Sequence, residues 1–354
     1  MNIKSILFGS AAALVAVSGA RAADAVVVAE PEPVEYVRVC DVYGAGFFYI
    51  PGTETCLQIS GYVWYQITAT SYRDGTDTVG FNDYFGGGVT ADGWRKTVQA
   101  RLNFDARSET EWGTLRGYIR FQSEWSGYNT VDGPVAVDQA FLSLGGLRMG
   151  YTESAWNETT NGGASSWGSY TWGGLYYAYQ QRDLIQYSFS GGNGFFGTIS
   201  LEDDEFGNYI PDVVGVAGVG QSWGTVWAKA AYDESVSGWA ASAGAQVNLP
   251  MEGHSFRVLG FYASNANNYS VGGRWSVMAA YYGQFTPTFA ASVGAQYIGD
   301  TNYAAAGSPS LLAAELALIW TPVTNFEVRS EINYDKASGL DGTVSGFLRF
   351  TRYF

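Results

Sequence analysis

The sequence predicts an all-β fold, a transmembrane antiparallel β-barrel of 16 strands with a long loop after strand 5. Three observations predict it. The chain ends on a stretch of alternating character, 344–354, whose last residue is aromatic. Alternating stretches of the same kind recur along the chain and number sixteen, an even count. The 354 residues include 46 Gly, 25 Tyr, 20 Phe and 12 Trp with only 15% charged residues, a composition that favours many short strands and turns over helix.

The final strand is the most explicit element. Phe354, Arg352, Phe350, Leu348, Gly346 and Val344 form a mostly apolar face, and Tyr353, Thr351, Arg349, Phe347 and Ser345 a mostly polar one. A period of two marks a strand with unlike faces. A strand at the chain terminus leaves backbone groups unpaired unless the first strand meets it, and that pairing closes a barrel.

At the other end, residues 1–22 read as a secretory signal peptide, with Lys4, an apolar run from Ile6 to Val17, and the small-x-small site Ala20-Arg21-Ala22. The apolar run is too short to span a bilayer and nothing like it recurs. An exported chain with no apolar span of about 20 residues is either soluble or a β-barrel. Residues 23–56 are expected as an extended leader, since 24–37 is acidic, rich in Val and interrupted by Pro31 and Pro33. Cys40 and Cys56 are the only cysteines, and in an exported chain they predict one disulfide, worth about 3 kcal/mol.

The barrel is expected over 57–354. In strand one, Leu57, Ile59, Val63, Tyr65 and Ile67 alternate with Gln58, Ser60, Tyr62, Trp64, Gln66 and Thr68. After a Gly- and Asp-rich loop near 70–93, strand two sets Trp94, Val98, Ala100, Leu102 and Phe104 against Arg95, Gln99, Arg101, Asn103, Asp105 and Arg107. Strand three sets Leu115, Ile119 and Phe121 against Arg116, Tyr118, Arg120, Gln122 and Glu124. Strand four spans 135–144, Gly145-Gly146 turns it, strand five spans 147–152, and a second long loop covers 153–180. Later strands pair across turns at 191–194, 221–224, 249–254, 286–288 and 321–325.

Short turns then alternate with longer Asp/Asn/Gly loops, the asymmetry of a membrane barrel. Sixteen strands enclose a lumen too wide to fill with side chains, so the apolar face must point outward into lipid. Trp94, Trp239, Trp275, Trp320, Phe326 and Tyr334 are expected in belts at the two interfaces.

Several chemistries are excluded. A formal charge of -14 argues against a nucleic-acid partner. No phosphate loop, metal cluster or haem motif is present, so no cofactor is expected. Gly220-Gln221-Ser222-Trp223-Gly224 matches G-x-S-x-G, but that motif needs a strand–turn–helix setting and a His partner. Here it falls in a hairpin turn, and the single His, His254, falls in another, so no enzyme is expected. The run Glu202-Asp203-Asp204-Glu205 is expected in an outer loop, as a solvated charge run or a site for divalent cations bridging lipopolysaccharide.

Three blocks carry a resemblance: Met1-Asn2-Ile3-Lys4-Ser5-Ile6-Leu7, Val34-Glu35-Tyr36-Val37-Arg38-Val39-Cys40-Asp41 and Phe48-Tyr49-Ile50-Pro51-Gly52-Thr53-Glu54-Thr55-Cys56. With Leu144-Gly145-Gly146-Leu147-Arg148, Ser190-Gly191-Gly192-Asn193-Gly194-Phe195, Pro211-Asp212-Val213-Val214 and the closing Arg349-Phe350, they resemble alphaproteobacterial general porins of Rhizobiales type. The resemblance implies a homotrimer in the outer membrane, amid lipid and lipopolysaccharide, each barrel a passive water-filled channel for small hydrophilic solutes and ions. It also implies that the loop after strand five folds inward and constricts the pore.

In this chain that loop carries Glu153 and Glu158 among aromatics that include Trp156, Trp167, Tyr170 and Trp172. Strands sixteen, one, two and three are neighbours in a closed barrel, and their lumen faces hold Arg349, Arg95, Arg101, Arg107, Arg116 and Arg120. A basic arc facing an acidic loop would set up a transverse field. Two alternatives remain at this stage, a sugar channel that stacks solutes on the aromatic loop and a barrel kept mainly as a surface or adhesion protein.

Overall fold

The computed structural model describes residues 38–71, 93–126, 134–157, 175–203, 209–303 and 307–354. The signal peptide, the acidic stretch 24–37, Glu158, Tyr170, Trp167 and Trp172 lie outside them, as do the side chains of Trp94 and Arg95. A short strand β1 (Phe47–Tyr49) precedes β2 (Cys56–Ser71), β3 (Gly93–Thr110), β4 (Gly113–Ser126), β5 (Ala136–Leu144) and β6 (Leu147–Glu153). Next come β7 (Gln181–Ser190), β8 (Phe195–Glu202), β9 (Asp212–Gln221), β10 (Gly224–Asp233) and β11 (Gly238–Asn248). The chain finishes with β12 (His254–Ala263), β13 (Trp275–Thr286), β14 (Phe289–Gly299), β15 (Leu311–Val323), β16 (Phe326–Ala337) and β17 (Thr343–Tyr353).

Each of β2 to β17 pairs antiparallel with its neighbour in sequence, and β17 returns to β2 in the register Val344↔Ser71 to Tyr353↔Tyr62. The sixteen strands β2–β17 therefore close on themselves, and no sheet edge remains. One end of the barrel is turned by short connections. At the β5–β6 turn Gly145 adopts φ +56, and a Cβ there would sit 2.9 Å from the Trp112 carbonyl oxygen. Gly224, which opens β10 at φ +144, leaves no room for a side chain, because a Cβ would lie 1.9 Å from Gln246 O.

The alternation read from sequence is the alternation of the wall. Ile59, Val63, Ile119, Leu142, Ile185, Val277, Leu316 and Leu348 are exposed on the outer face. Aromatics gather at both of its margins. At the long-loop end Trp239 lies 5.2 Å from Tyr262 and Trp275 5.4 Å from Tyr297. At the short-turn end Phe189 lies 5.9 Å from Phe195, and Trp320 is exposed beside its register partner Phe289. These are the interfacial belts of a membrane barrel. Phe326 and Tyr334 are half-buried and fill the same outer face less prominently.

The expected disulfide is present, joining Cys40 to Cys56 across a Cα separation of 6.0 Å. β1 pairs with the start of β2, and Phe47 packs with both half-cystines under Tyr43 and Tyr49. The stretch expected as an extended leader through residue 56 is thus folded from Val39 onward.

The interior departs from a purely polar lining. Phe196, Val214, Val216, Trp227, Leu259, Phe261 and Met278, from β8, β9, β10, β12 and β13, are buried and point inward. Ala155, Trp156 and Leu175, from the two ends of the β6–β7 connection, pack on them. A lumen wall wetted by water would not carry this much apolar surface. One side of the barrel is instead a packed core, to which both ends of this connection and Tyr269 and Val271 of the β12–β13 connection contribute.

Candidate functional site

The polar side of the interior runs along β16, β17, β2, β3, β4 and β5. Gln99 organises its middle, accepting from the Tyr62 hydroxyl at 2.7 Å and Trp64 Nε1 at 3.0 Å while its amide donates to Glu124 at 3.0 Å. Arg349 is buried; its Nε donates to Gln66 Oε1 at 2.7 Å, and its guanidinium lies 4.5 Å from the Trp64 ring and 4.7 Å from the Phe347 ring. Such stacking holds a guanidinium against an aromatic face without neutralising its charge. On β16, Arg329 is bonded to Glu327 at 2.8 Å and Glu331 at 3.2 Å.

Arg101, Arg107, Arg116 and Arg120 all reach this wall, and two aspartates on the same wall hold them. Asp105 accepts Nε and Nη2 of Arg107 at 3.0 and 2.7 Å, and the same pair of atoms from Arg116 at 2.9 and 2.8 Å. Asp138 is bonded to Arg120 and lies 3.9 Å from Arg101, whose Nε donates to Gln122 at 2.9 Å.

Asp138 owes its place to a register shift. Arg120 pairs with Gln139 but Phe121 pairs with Val137, so Asp138 is an extra residue on β5. A bulge of this kind re-aims a side chain. Strict alternation would have sent Asp138 outward beside Ala140 and Leu142, and nothing in the period of two signals the exception. Asp105 was legible as a lumen residue, but its two-armed bond was not.

The β6–β7 connection is described at both ends. Ser154, Ala155, Trp156 and Asn157 are buried. The Ser154 hydroxyl and the Ala155 N–H donate to the Glu202 carboxylate at 2.7 and 3.0 Å, and Lys229 Nζ donates to the Trp156 carbonyl at 2.6 Å. The Trp156 ring meets Tyr269 edge-on at 5.6 Å, and the Tyr269 hydroxyl donates to Glu202 and Asp212. At the other end, Tyr176 N–H donates to Gln296 Oε1 at 2.7 Å and Gln296 Nε2 returns a bond to Tyr176 O at 2.9 Å. The Tyr176 hydroxyl donates to Asp335 at 3.2 Å. β14 and β16 lie across the ring of strands from β6 and β7, so residues 175–180 return from the far wall. Burial, and then the adjoining carboxylates, raise the Tyr269 and Tyr176 phenols well above their ordinary value.

Two placements correct the sequence expectation. Glu153, the last residue of β6, lies 3.5 Å from both Gln139 Nε2 and the Tyr179 hydroxyl. Gln139 is the register partner of Arg120, so Glu153 flanks the arginines instead of facing them. Glu202 is not in an outer loop; it ends β8, fully buried, and anchors the connection, while Asp204 and Glu205 lie outside the described residues. Arg95 falls on β3, and its side chain and Glu158 and Tyr170 are likewise outside. The residues that sequence reasoning missed, Glu202, Gln296, Lys229 and Tyr269, share no motif. Each is a polar residue at an inward position whose partner in these contacts is more than 45 residues away.

Ser222 sits in the two-residue β9–β10 turn, a hairpin setting. His254 opens β12 and has both ring nitrogens engaged, by the Tyr281 hydroxyl at 2.6 Å and the Gln284 carbonyl at 3.1 Å.

A closed barrel of sixteen strands, apolar and aromatic-belted outside and lined by ion pairs within, is a channel of the outer membrane. The family follows from comparison with known proteins. A family model described as Porin subfamily matches residues 24–345, and the chain belongs to that family. It is 37% identical to Porin Omp2b of Brucella neotomae over 394 aligned positions that cover the whole of both chains. Porin Omp2b of Brucella abortus (strain 2308) matches with the same identity and coverage. Among solved structures, the outer membrane channel DcaP of Acinetobacter baumannii superposes with a TM-score of 0.64 at 15% identity, covering 86% of this chain and 99% of that one. A mutant of the Rh. blastica porin gives 0.56 at 13% identity over 84% of this chain and all of the other. These two likenesses speak to the fold alone.

Proposed function

We propose that the protein is a general diffusion porin, a homotrimer of passive channels that admit small hydrophilic solutes and ions and catalyse nothing. The observation that carries this reading is the pair of anchors on the β6–β7 connection, Ser154 and Ala155 on Glu202 and Tyr176 on Gln296. Both ends of the connection are held inside the barrel, on β8 and on β14, which supports a constriction formed by this connection. Trp156 serves that role as packing, since its ring is covered by Tyr269. Glu158 and Tyr170 belong to it, Glu153 stands at its base beside Arg120, and Arg101, Arg116, Arg120 and Arg349, with Arg95 and Arg107 at the strand ends, form the basic side of the passage. Residues 1–22 act as the cleaved export signal, and outer-membrane lipid and lipopolysaccharide are the surroundings.

Asp105 and Asp138 offset part of the charge of the wall arginines and the chain as a whole is acidic, so ion selectivity is weak. Single-channel current in a planar bilayer under a KCl gradient tests this, comparing wild type with Glu153→Gln/Glu158→Gln. Open steps in threes, with a reversal potential that moves toward anions in the variant, are expected. Absence of any steps in wild type would overturn the reading in favour of a surface protein, and strong selectivity of either sign would remove the weakly selective form of it.

A further inference from the structure

The basic wall carries two units, in each of which one aspartate meets two arginines. In the first, Asp105 holds the forks of Arg107 and Arg116. In the second, Asp138 sits between Arg120 and Arg101. Both units draw their arginines from β3 and β4, in the register Arg107↔Arg116 and Asn103↔Arg120. Arg116 and Arg120 are four residues apart on one strand, about 13 Å at the rise of an extended chain. The two units are therefore successive along the passage.

The first unit sets two guanidiniums against one carboxylate and keeps one positive charge in excess, and in the second Glu153 lies close by as a further carboxylate. The side chains remain partly open, with 27% and 25% of the Arg107 and Arg116 surface exposed against 18% and 11% for Arg101 and Arg120. Arg107 and Arg116 spend Nε and Nη2 on Asp105, and their Nη1 groups make no hydrogen bond among the described residues. A guanidinium fork recognises the paired oxygens of a carboxylate or phosphate. Two unpaired arginines would hold such an anion tightly. Asp105 already occupies both forks of the first unit, and in the second Asp138 holds Arg120 while Gln122 holds the fork of Arg101, so an arriving oxyanion has to compete and leaves quickly. Conduction needs that balance, favourable enough to admit and weak enough to release.

We propose that these two units are successive low-affinity stations for small oxyanions, with Asp105 and Asp138 as built-in competitors that keep residence short. The proposal rests on the channel reading above, and chloride conductance tests that reading separately.

The experiment records single-channel current in KCl with inorganic phosphate or acetate added on one side. Wild type is compared with Asp105→Asn/Asp138→Asn. In wild type each oxyanion should lower the chloride current without resolved closures. In the variant it should produce resolved interruptions about tenfold longer, the scale of one charge-assisted hydrogen bond, and the reversal potential should move toward anions. A second variant, Arg107→Lys/Arg116→Lys, keeps the charge but removes one pair of forks. Weakening of the oxyanion effect there supports recognition by the forks, and this arm decides the matter even if the aspartate variant does not fold. An unchanged oxyanion effect in the lysine variant, or interruptions equally long in wild type and the asparagine variant, overturns the proposal. Interruptions by phosphate with none by acetate would restrict the stations to phosphates. No chloride steps in wild type would instead defeat the channel reading itself.

Discussion

Phe354 and Gly61 exchange both of their backbone hydrogen bonds, at 3.1 and 2.9 Å, so the last residue of the chain is tied to the first strand of the barrel. Gly61 has no room for more. A Cβ on it would sit 2.1 Å from Arg101 O and 3.2 Å from the Phe354 ring.

Gly61→Ala is therefore expected to destabilise the closed barrel by about 1–3 kcal/mol, the range for overpacking. Loss of the heat-shifted mobility of the folded form on a gel, at a lower temperature than wild type, would show it. A variant with wild-type mobility across the whole temperature range would mean the seam can shift to accept a methyl group.

Removing the disulfide with Cys40→Ala/Cys56→Ala should cost about 3 kcal/mol by the loop-closure argument. The measurement is the urea midpoint of wild type with and without reductant, against the variant. Reductant should move only wild type, and the reduced protein should approach the variant. Equal midpoints throughout would show that β1 is held by its pairing with β2 and the Phe47 contacts alone.

Gln296→Ala removes both bonds to the Tyr176 backbone and one to Ser276. At about 1 kcal/mol for each of these neutral bonds, the far end of the connection should loosen. Open-channel current noise should rise and limited proteolysis should cut the connection sooner. Protease resistance equal to wild type would assign the anchoring to the Asp335 bond and the apolar packing instead.

Alkaline pH should act at Tyr176 and Tyr269. Both phenols are raised above the ordinary value near 10, so above that pH the folded state retains protons that the unfolded chain gives up. Their stabilisation is complete below about pH 10 and is lost as pH climbs past it. Melting temperature followed from pH 8 to 12 should fall at the alkaline end, and Tyr269→Phe should flatten part of the fall. An equal fall in the variant would place the sensitivity elsewhere.

Much of this was readable in advance, for a definite reason. A period of two says which face a residue occupies, and a barrel has only two faces, so Leu348 outside and Arg349 inside followed from alternation alone. The turn chemistry at Gly145 and at 191–194 fixed where strands reverse. What alternation cannot say is what covers a face. Val214, Val216, Trp227 and Met278 sit inward against the rule because another part of the chain, Trp156 and Leu175, lies over them. Asp138 fails for the opposite reason. It lies inside a strand whose bounds were legible, but one extra residue switches its side. Glu202 shows a third limit. A run of four acids reads as solvated, yet its first member takes three hydrogen bonds, from Ser154, Ala155 and Tyr269.

The division of the interior into a packed side and a polar side also sets how the sequence can drift. On the packed side a change of one methylene at Val216 or Leu259 is answered by neighbours in contact, as in any close-packed core. On the side of Gln99, Arg107 and Arg116 the same change of volume meets partly open space and is answered by passing solutes. Homologues should therefore vary little in size on one arc of strands and freely on the other. A selective pressure from the environment can reach only the second.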